Sequence, residues 1–123
     1  MPHESILIVD DQPVDAKLIQ RVLDDEGYEV TIAANAPEAL QGVKDSKPDL
    51  ILMDIHLPGM GGIELTKFLK SNPESRHIKI IAISAYASTE DQQRAITTVC
   101  DGYIAKPIDI RTFASSIREY LNK

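Results

Sequence analysis

Cysteine occurs once in the 123-residue chain, at Cys100. No intramolecular disulfide can form, and thiolate zinc sites, which usually draw on two or more cysteines, are effectively excluded; Cys100 reads as a small buried packing residue. Long apolar runs are also absent. None approaches the roughly 20 residues that a membrane-spanning helix needs, and Met1-Pro2-His3-Glu4 lacks the basic start and apolar stretch of a signal peptide. Together these absences predict a cytoplasmic protein that does not engage the membrane. Basic charge is in deficit: the formal net charge is -6 and the pI about 4.9. Such a field repels a phosphodiester backbone, so direct nucleic acid binding is not expected. The four tyrosines and two phenylalanines show no stacking pattern for single strands. His3, His56 and His77 are too scattered for a histidine metal site or a phosphohistidine relay.

What is present is a 43% hydrophobic composition, arranged as an alternation. Short β-branched runs with few polar residues are each followed by ten or more residues with apolar positions at helical spacing. That pattern predicts parallel strands joined by crossover helices in one α/β domain. The runs are Ile6 to Val9, Val30 to Ala33, Leu50 to Met53, Ile78 to Ile83 and Tyr103 to Ala105; the first, third and fourth are continuous enough to be buried on both faces. The first helix carries Val14, Leu18, Ile19, Val22 and Leu23 as one stripe, opened by Pro13 and closed by Gly27. The second follows Asn35 as a cap and carries Ala39, Leu40 and Val43. The third carries Ile63, Leu65, Phe68 and Leu69 and ends near Asn72-Pro73. The fourth opens at Ser88-Thr89-Glu90-Asp91 and offers only Ala95, Ile96 and Val99, so its docking is expected to be the weakest. The last starts at Asp109 and repeats apolar residues at Phe113, Ile117, Tyr120 and Leu121.

In sheets of this kind chemistry sits outside the carboxyl ends of the strands. Asp10 and Asp11 follow the first strand directly, and Asp54 follows the third. If those strands are neighbours, three carboxylates converge, which like-charge repulsion makes costly unless a cation or protons fill the gap. All-oxygen ligands favour Mg²⁺, Mn²⁺ or Ca²⁺ over zinc, and Mg²⁺ is typical where a phosphoryl group supplies further ligands. A lone aspartate at a strand end is commonly a helix cap, but capping accounts poorly for all three. The fourth strand ends in Ser84 and the fifth in Lys106-Pro107. A nucleophilic carboxylate, a metal site, a hydroxyl and an ammonium at one sheet edge form a set suited to phosphoryl transfer.

These pieces, Ile8-Val9-Asp10-Asp11, Asp49 to Asp54, Leu57-Pro58-Gly59-Met60-Gly61-Gly62, Ile83-Ser84-Ala85 and Tyr103-Ile104-Ala105-Lys106-Pro107, resemble the receiver domain of bacterial two-component response regulators, the CheY-like superfamily. The resemblance spans essentially the whole chain. It implies a doubly wound, five-stranded parallel sheet of order 2-1-3-4-5 flanked by five helices, as a single receiver domain over 1–123 with no output domain in this chain. It further implies that Asp54 accepts a phosphoryl group from a phosphohistidine of a histidine kinase or phosphotransfer domain. Mg²⁺ would be bound directly by Asp11, Asp54 and the backbone carbonyl of His56, with Asp10 acting mainly through metal-bound water. Ser84 would bond the new phosphoryl group, Lys106 would pair with its oxygens, and Tyr103 would swing inward as Ser84 moves. Lys106-Pro107 matches a cis peptide of the family. The surface that changes would be the fourth helix, fifth strand and fifth helix, read by a downstream protein target. Donor docking would fall on the first helix, with Val14, Asp15 and Leu18 as candidate contacts. His56 and Tyr86 occupy positions that vary in the family and tune phosphoryl lifetime, and Val99 stands where the family often has Gly.

Three rival readings fit less well. An aspartyl-nucleophile phosphatase needs a general acid, usually an Asp two residues after the nucleophile, where His56 stands. A flavodoxin-like flavin binder needs a hydroxyl- or glycine-rich phosphate loop after the first strand, where Asp10-Asp11-Gln12-Pro13 stands. A phosphorylation-independent interaction module usually lacks one of the acidic pair, acceptor, hydroxyl or lysine, and all are present.

Overall fold

The computed structural model describes residues 4–55, 61–84, 94, 96, 98–106 and 108–122. Five strands, β1 (Ser5–Val9), β2 (Glu29–Ala33), β3 (Leu50–Asp54), β4 (Lys79–Ser84) and β5 (Gly102–Ala105), form one parallel sheet in the order β2-β1-β3-β4-β5. The expected strand order is therefore observed. β1, β3 and β4 are buried nearly throughout, in keeping with their unbroken apolar runs, whereas edge strand β2 is largely exposed.

Two apolar layers sandwich the sheet. Side chains alternate between the faces of a strand, so Ile6, Ile8, Leu50, Leu52, Ile81 and Ile83 meet Ile19 and Leu23 of α1 (Pro13–Asp25) and Phe113 and Ile117 of α4 (Ile110–Leu121). On the other face Leu7, Val9, Ile51 and Met53 meet Ala39 of α2 (Ala36–Ser46) and Leu65 and Leu69 of α3 (Gly62–Ser71). The helix ends obey their local signals. The Asn35 side chain accepts from the Glu38 amide at 2.9 Å, and the Glu38 carboxylate accepts from the Ala34 amide at 3.0 Å, a variant of the capping box. Asp109 accepts from the Arg111 amide at 3.0 Å. Gly27, at φ 94°, supplies the positive φ needed where the chain turns out of α1 into β2. Asn72, which precedes Pro73, is extended and ends α3.

Four helices are complete among the described residues; the expected fourth of five lies mostly outside them, although Arg94, Ile96, Thr98 and Val99 are helical and the Cys100 amide bonds back to the Ile96 carbonyl. Two expectations about helix faces need correction. Val14 and Leu18 do not belong to the buried stripe of α1, which is made by Ala16, Ile19 and Leu23; Val14 is 80% exposed. Phe68 is exposed as well, because α3 turns Leu65 and Leu69 to the sheet. Cys100 is buried, as expected, with its Sγ 3.9 Å from Thr66 Oγ1. Among the described residues no helix is long and apolar enough to cross a membrane.

Candidate phosphoryl-transfer site

Parallel register brings the strand ends together. Val9 lies beside Met53, so Asp10, one residue past the end of β1, stands next to Asp54 at the end of β3. Asp54 pairs with Ile83 and Ser84 with Ala105, so Ser84 and then Lys106 arrive at the same edge. The Lys106 amide donates to the Ser84 carbonyl at 3.0 Å and ties the last two strand ends together.

Asp10, Asp11 and Asp54 each place a carboxylate oxygen within 4.8 Å of the others. Asp10 and Asp54 are buried, and Asp11 is half-exposed at the mouth. Three hard oxygen donors at this spacing, at a sheet edge open to solvent, fit a divalent cation of the magnesium or calcium type. Lys106 is the cation among them: its Nζ lies 3.4 Å from Asp10 Oδ2 and 3.9 Å from Asp54 Oδ2. Burial pushes the Asp10 carboxyl above its ordinary range. The Gln12 amide at 2.9 Å and the Lys106 ammonium work against that shift, and the charge of Asp54 adds to it. Burial alone would lower the Lys106 ammonium, but Asp54, Asp10 and Asp15 outweigh it and raise it, so this lysine is charged at neutral pH. The Ser84 side chain is buried against this edge, and the Tyr103 hydroxyl donates to the Ser84 carbonyl at 3.4 Å.

The backbone behind Asp54 is crowded. Gly62, the first residue of α3, donates its amide to the Ile55 carbonyl at 3.1 Å and lies flat on the strand end. A Cβ there would press on the Asp54 carbonyl oxygen and sit 2.8 Å from Ile55 Cα. The packing of α3 thus fixes the main chain that carries Asp54.

Of the residues singled out in the sequence, Asp10, Asp11, Asp54, Ser84, Tyr103 and Lys106 gather at this edge. Val14, Asp15 and Leu18 lie on the exposed side of α1 beside it. His56, Tyr86 and Pro107, with the rest of 56–60, lie outside the described residues. Two features had no signal in the sequence. One is the role of Gly62 as a spacer. The other is the ion pair between Asp15 Oδ2 and Lys106 Nζ at 3.3 Å, which joins residues 91 apart.

Residues 6–118 match the family model described as the response regulator receiver domain. The chain is 42% identical over 118 residues to the polar-differentiation response regulator DivK of Brucella anthropi, a match covering 96% of each chain. Among solved structures, a putative response regulator from Chloroflexus aurantiacus superposes with a TM-score of 0.91 at 31% identity, covering all of both chains. The receiver domain of a sensor histidine kinase from Pseudomonas aeruginosa, described with a magnesium ion coordinated in its active site cleft, superposes with a TM-score of 0.87 at 28% identity, covering 98% of this chain and 99% of that one.

Proposed function

The chain belongs to the response regulator receiver family, and from that premise we propose that Asp54 is its phosphoacceptor and that Asp10, Asp11 and Asp54 make up its Mg²⁺ site, Asp10 mainly through metal-bound water. The observation that carries this reading is the meeting of three carboxylates, one ammonium and one buried hydroxyl at the ends of β1, β3, β4 and β5.

Asp54 is the carboxylate best placed as the nucleophile. It sits on the central strand, fixed from behind by Gly62, with Lys106 to one side. An Asp54 oxygen attacks the phosphorus of a phosphohistidine in a histidine kinase or phosphotransfer domain. The new O–P bond forms as the P–N bond breaks, and the electron pair leaves on the imidazole nitrogen. Lys106 turns its N–H groups to the equatorial phosphoryl oxygens, where charge-assisted bonds offset the gathering charge. Ser84 donates its hydroxyl to a phosphoryl oxygen. Asp10, Asp11 and Asp54 would hold a magnesium ion, which when bound would supply further positive charge against the developing negative charge. Water later cleaves the acyl phosphate and resets the switch, so the protein assists its own phosphorylation and dephosphorylation and is not a turnover enzyme acting on a separate substrate.

The readout runs from Ser84 to Tyr103. Their present link is the Tyr103 hydroxyl on the Ser84 carbonyl. Movement of Ser84 toward a phosphoryl group shifts that link and reshapes the surface formed by the helical segment ending at Val99, β5 and α4, which a downstream protein target reads. The exposed face of α1, with Val14 and Leu18, is the docking side for the phosphohistidine donor, since apolar residues left in water beside the site suit a transient partner. Incubation with Mg²⁺ and either acetyl phosphate or the phosphoryl mimic beryllofluoride tests the reading: one phosphoryl group per chain is expected from acetyl phosphate and one bound beryllofluoride per chain from the mimic, both absent in Asp54→Asn and without Mg²⁺. An unmodified wild type under all donors would refute it.

A further inference from the structure

Lys106 has more partners than the proposed chemistry uses. Its ammonium carries three N–H donors, and three carboxylates surround it: Asp15 at 3.3 Å, Asp10 at 3.4 Å and Asp54 at 3.9 Å. All three separations exceed the 2.7–2.9 Å typical of a committed charge-assisted bond. The lysine is shared among them. Asp10 and Asp54 are buried on the strand ends, but Asp15 belongs to the first turn of α1 and its side chain is 45% exposed. Asp15 is also not one of the three carboxylates that cluster closely enough to hold a metal among the described residues. It touches Lys106 from outside the cluster.

We propose that Asp15 is a positioning residue that competes with the incoming phosphoryl group for Lys106 and thereby slows phosphorylation of Asp54. The proposal rests on the reading of Asp54 as phosphoacceptor. Before Lys106 can pair with the phosphoryl oxygens it must give up Asp15, and the Asp15 carboxylate adds negative charge at the mouth through which an anionic donor enters. Both effects have the same sign. Because the pair is partly exposed and its attraction is screened, its removal is worth about a 2- to 5-fold change in rate, the range of exposed ion pairs. A lysine instead aimed productively by Asp15 would give the opposite sign.

The test uses the full chain as wild type, Asp15→Asn, Asp15→Glu and Asp24→Asn. Asp24 is exposed on the same helix, about 14 Å farther along at 1.5 Å per residue, and controls for the loss of one negative charge. Three quantities are measured: the initial rate of phosphorylation by acetyl phosphate, the affinity for beryllofluoride with Mg²⁺, and the affinity for Mg²⁺ alone by calorimetry. Asp15→Asn is expected to raise the first two by about 2- to 5-fold and leave the third unchanged, while Asp15→Glu and Asp24→Asn behave as wild type. A slower or unchanged Asp15→Asn, an equal gain in Asp24→Asn, or a change in Mg²⁺ affinity as large as the change in rate would overturn the proposal with the phosphoacceptor reading intact. A wild type that takes no phosphoryl group would overturn that reading itself.

Discussion

Replacing Gly62 by alanine sets two physical effects against each other. Alanine is the better helix former, by about 1 kcal/mol in a helix interior and by only a fraction of that at the first position of α3, so propensity alone slightly favours the variant. Space does not: the added methyl would meet the Asp54 carbonyl oxygen, with Ile55 Cα at 2.8 Å and the Asp54 carbonyl carbon at 3.0 Å. These are backbone atoms of a buried strand end and cannot swing away as a flexible side chain could. Overpacking of this kind costs about 1–3 kcal/mol, against a total stability on the order of 5–15 kcal/mol. The net expectation is a loss of about 1–2 kcal/mol, which at an ordinary urea dependence lowers the unfolding midpoint by roughly 1 M. The strain falls on the main chain that aims Asp54, so phosphorylation by acetyl phosphate should slow by about tenfold or more, as small misplacements of a reacting group do. Gly61→Ala is the control, since among the described residues the nearest atom to its Cβ is the Ile55 carbonyl oxygen at 3.8 Å; it should stay within about 0.5 kcal/mol of wild type. A Gly62→Ala protein as stable as wild type, or more so, would refute the view that α3 is seated on the Asp54 backbone.

Asp10 sets a pH dependence. Burial first, and then the charge of Asp54, hold its carboxyl above the reference value of 3.8 in the folded protein. The folded state therefore binds this proton more tightly than the unfolded chain. The stability associated with that proton is present below the unfolded value and is lost as pH rises through the folded one. In chelator, Asp10→Asn should be more stable than wild type at neutral pH, with the gap closing in acid and narrowing when Mg²⁺ is added; a gap constant across pH in urea titrations would contradict this. Asn35→Ala removes the side-chain acceptor for the Glu38 amide and should cost about 1 kcal/mol, measured as a lower urea midpoint with unchanged phosphorylation.

The sheet was legible because its strands announce themselves. Ile6 to Val9, Leu50 to Met53 and Ile80 to Ile83 are buried on both faces, and such runs leave little freedom of assignment. With the strands placed, and their order 2-1-3-4-5 taken from the family resemblance, Asp10, Asp11, Asp54, Ser84 and Lys106 fall at one edge. Helix surfaces were less legible. Val14, Leu18 and Phe68 have the residue type and spacing of core positions yet face solvent, because periodicity cannot separate an apolar residue that packs on the sheet from one left outside. Contacts that depend on tertiary proximity were invisible. Nothing local in Pro13-Val14-Asp15 signals a lysine 91 residues later, and nothing in Gly61-Gly62 says which of the two glycines meets a strand backbone. Lys70 offers a further case: its ammonium bonds the Ile78 carbonyl at 2.7 Å and pairs with Asp101, whose carboxylate also accepts the Ile80 amide at 2.8 Å. That network ties α3 to the start of β4 and to the turn before β5.

The most direct measurement of the central claim is to locate the phosphoryl group itself. The protein is treated with acetyl phosphate and Mg²⁺, the acyl phosphate is reduced with borohydride, and the digested peptides are sequenced by mass spectrometry. Conversion of residue 54 to homoserine, with residues 10 and 11 untouched, is the predicted result. Homoserine at another aspartate, or none anywhere in a folded and metal-loaded sample, would contradict the assignment of this strand-end cluster to phosphoryl transfer.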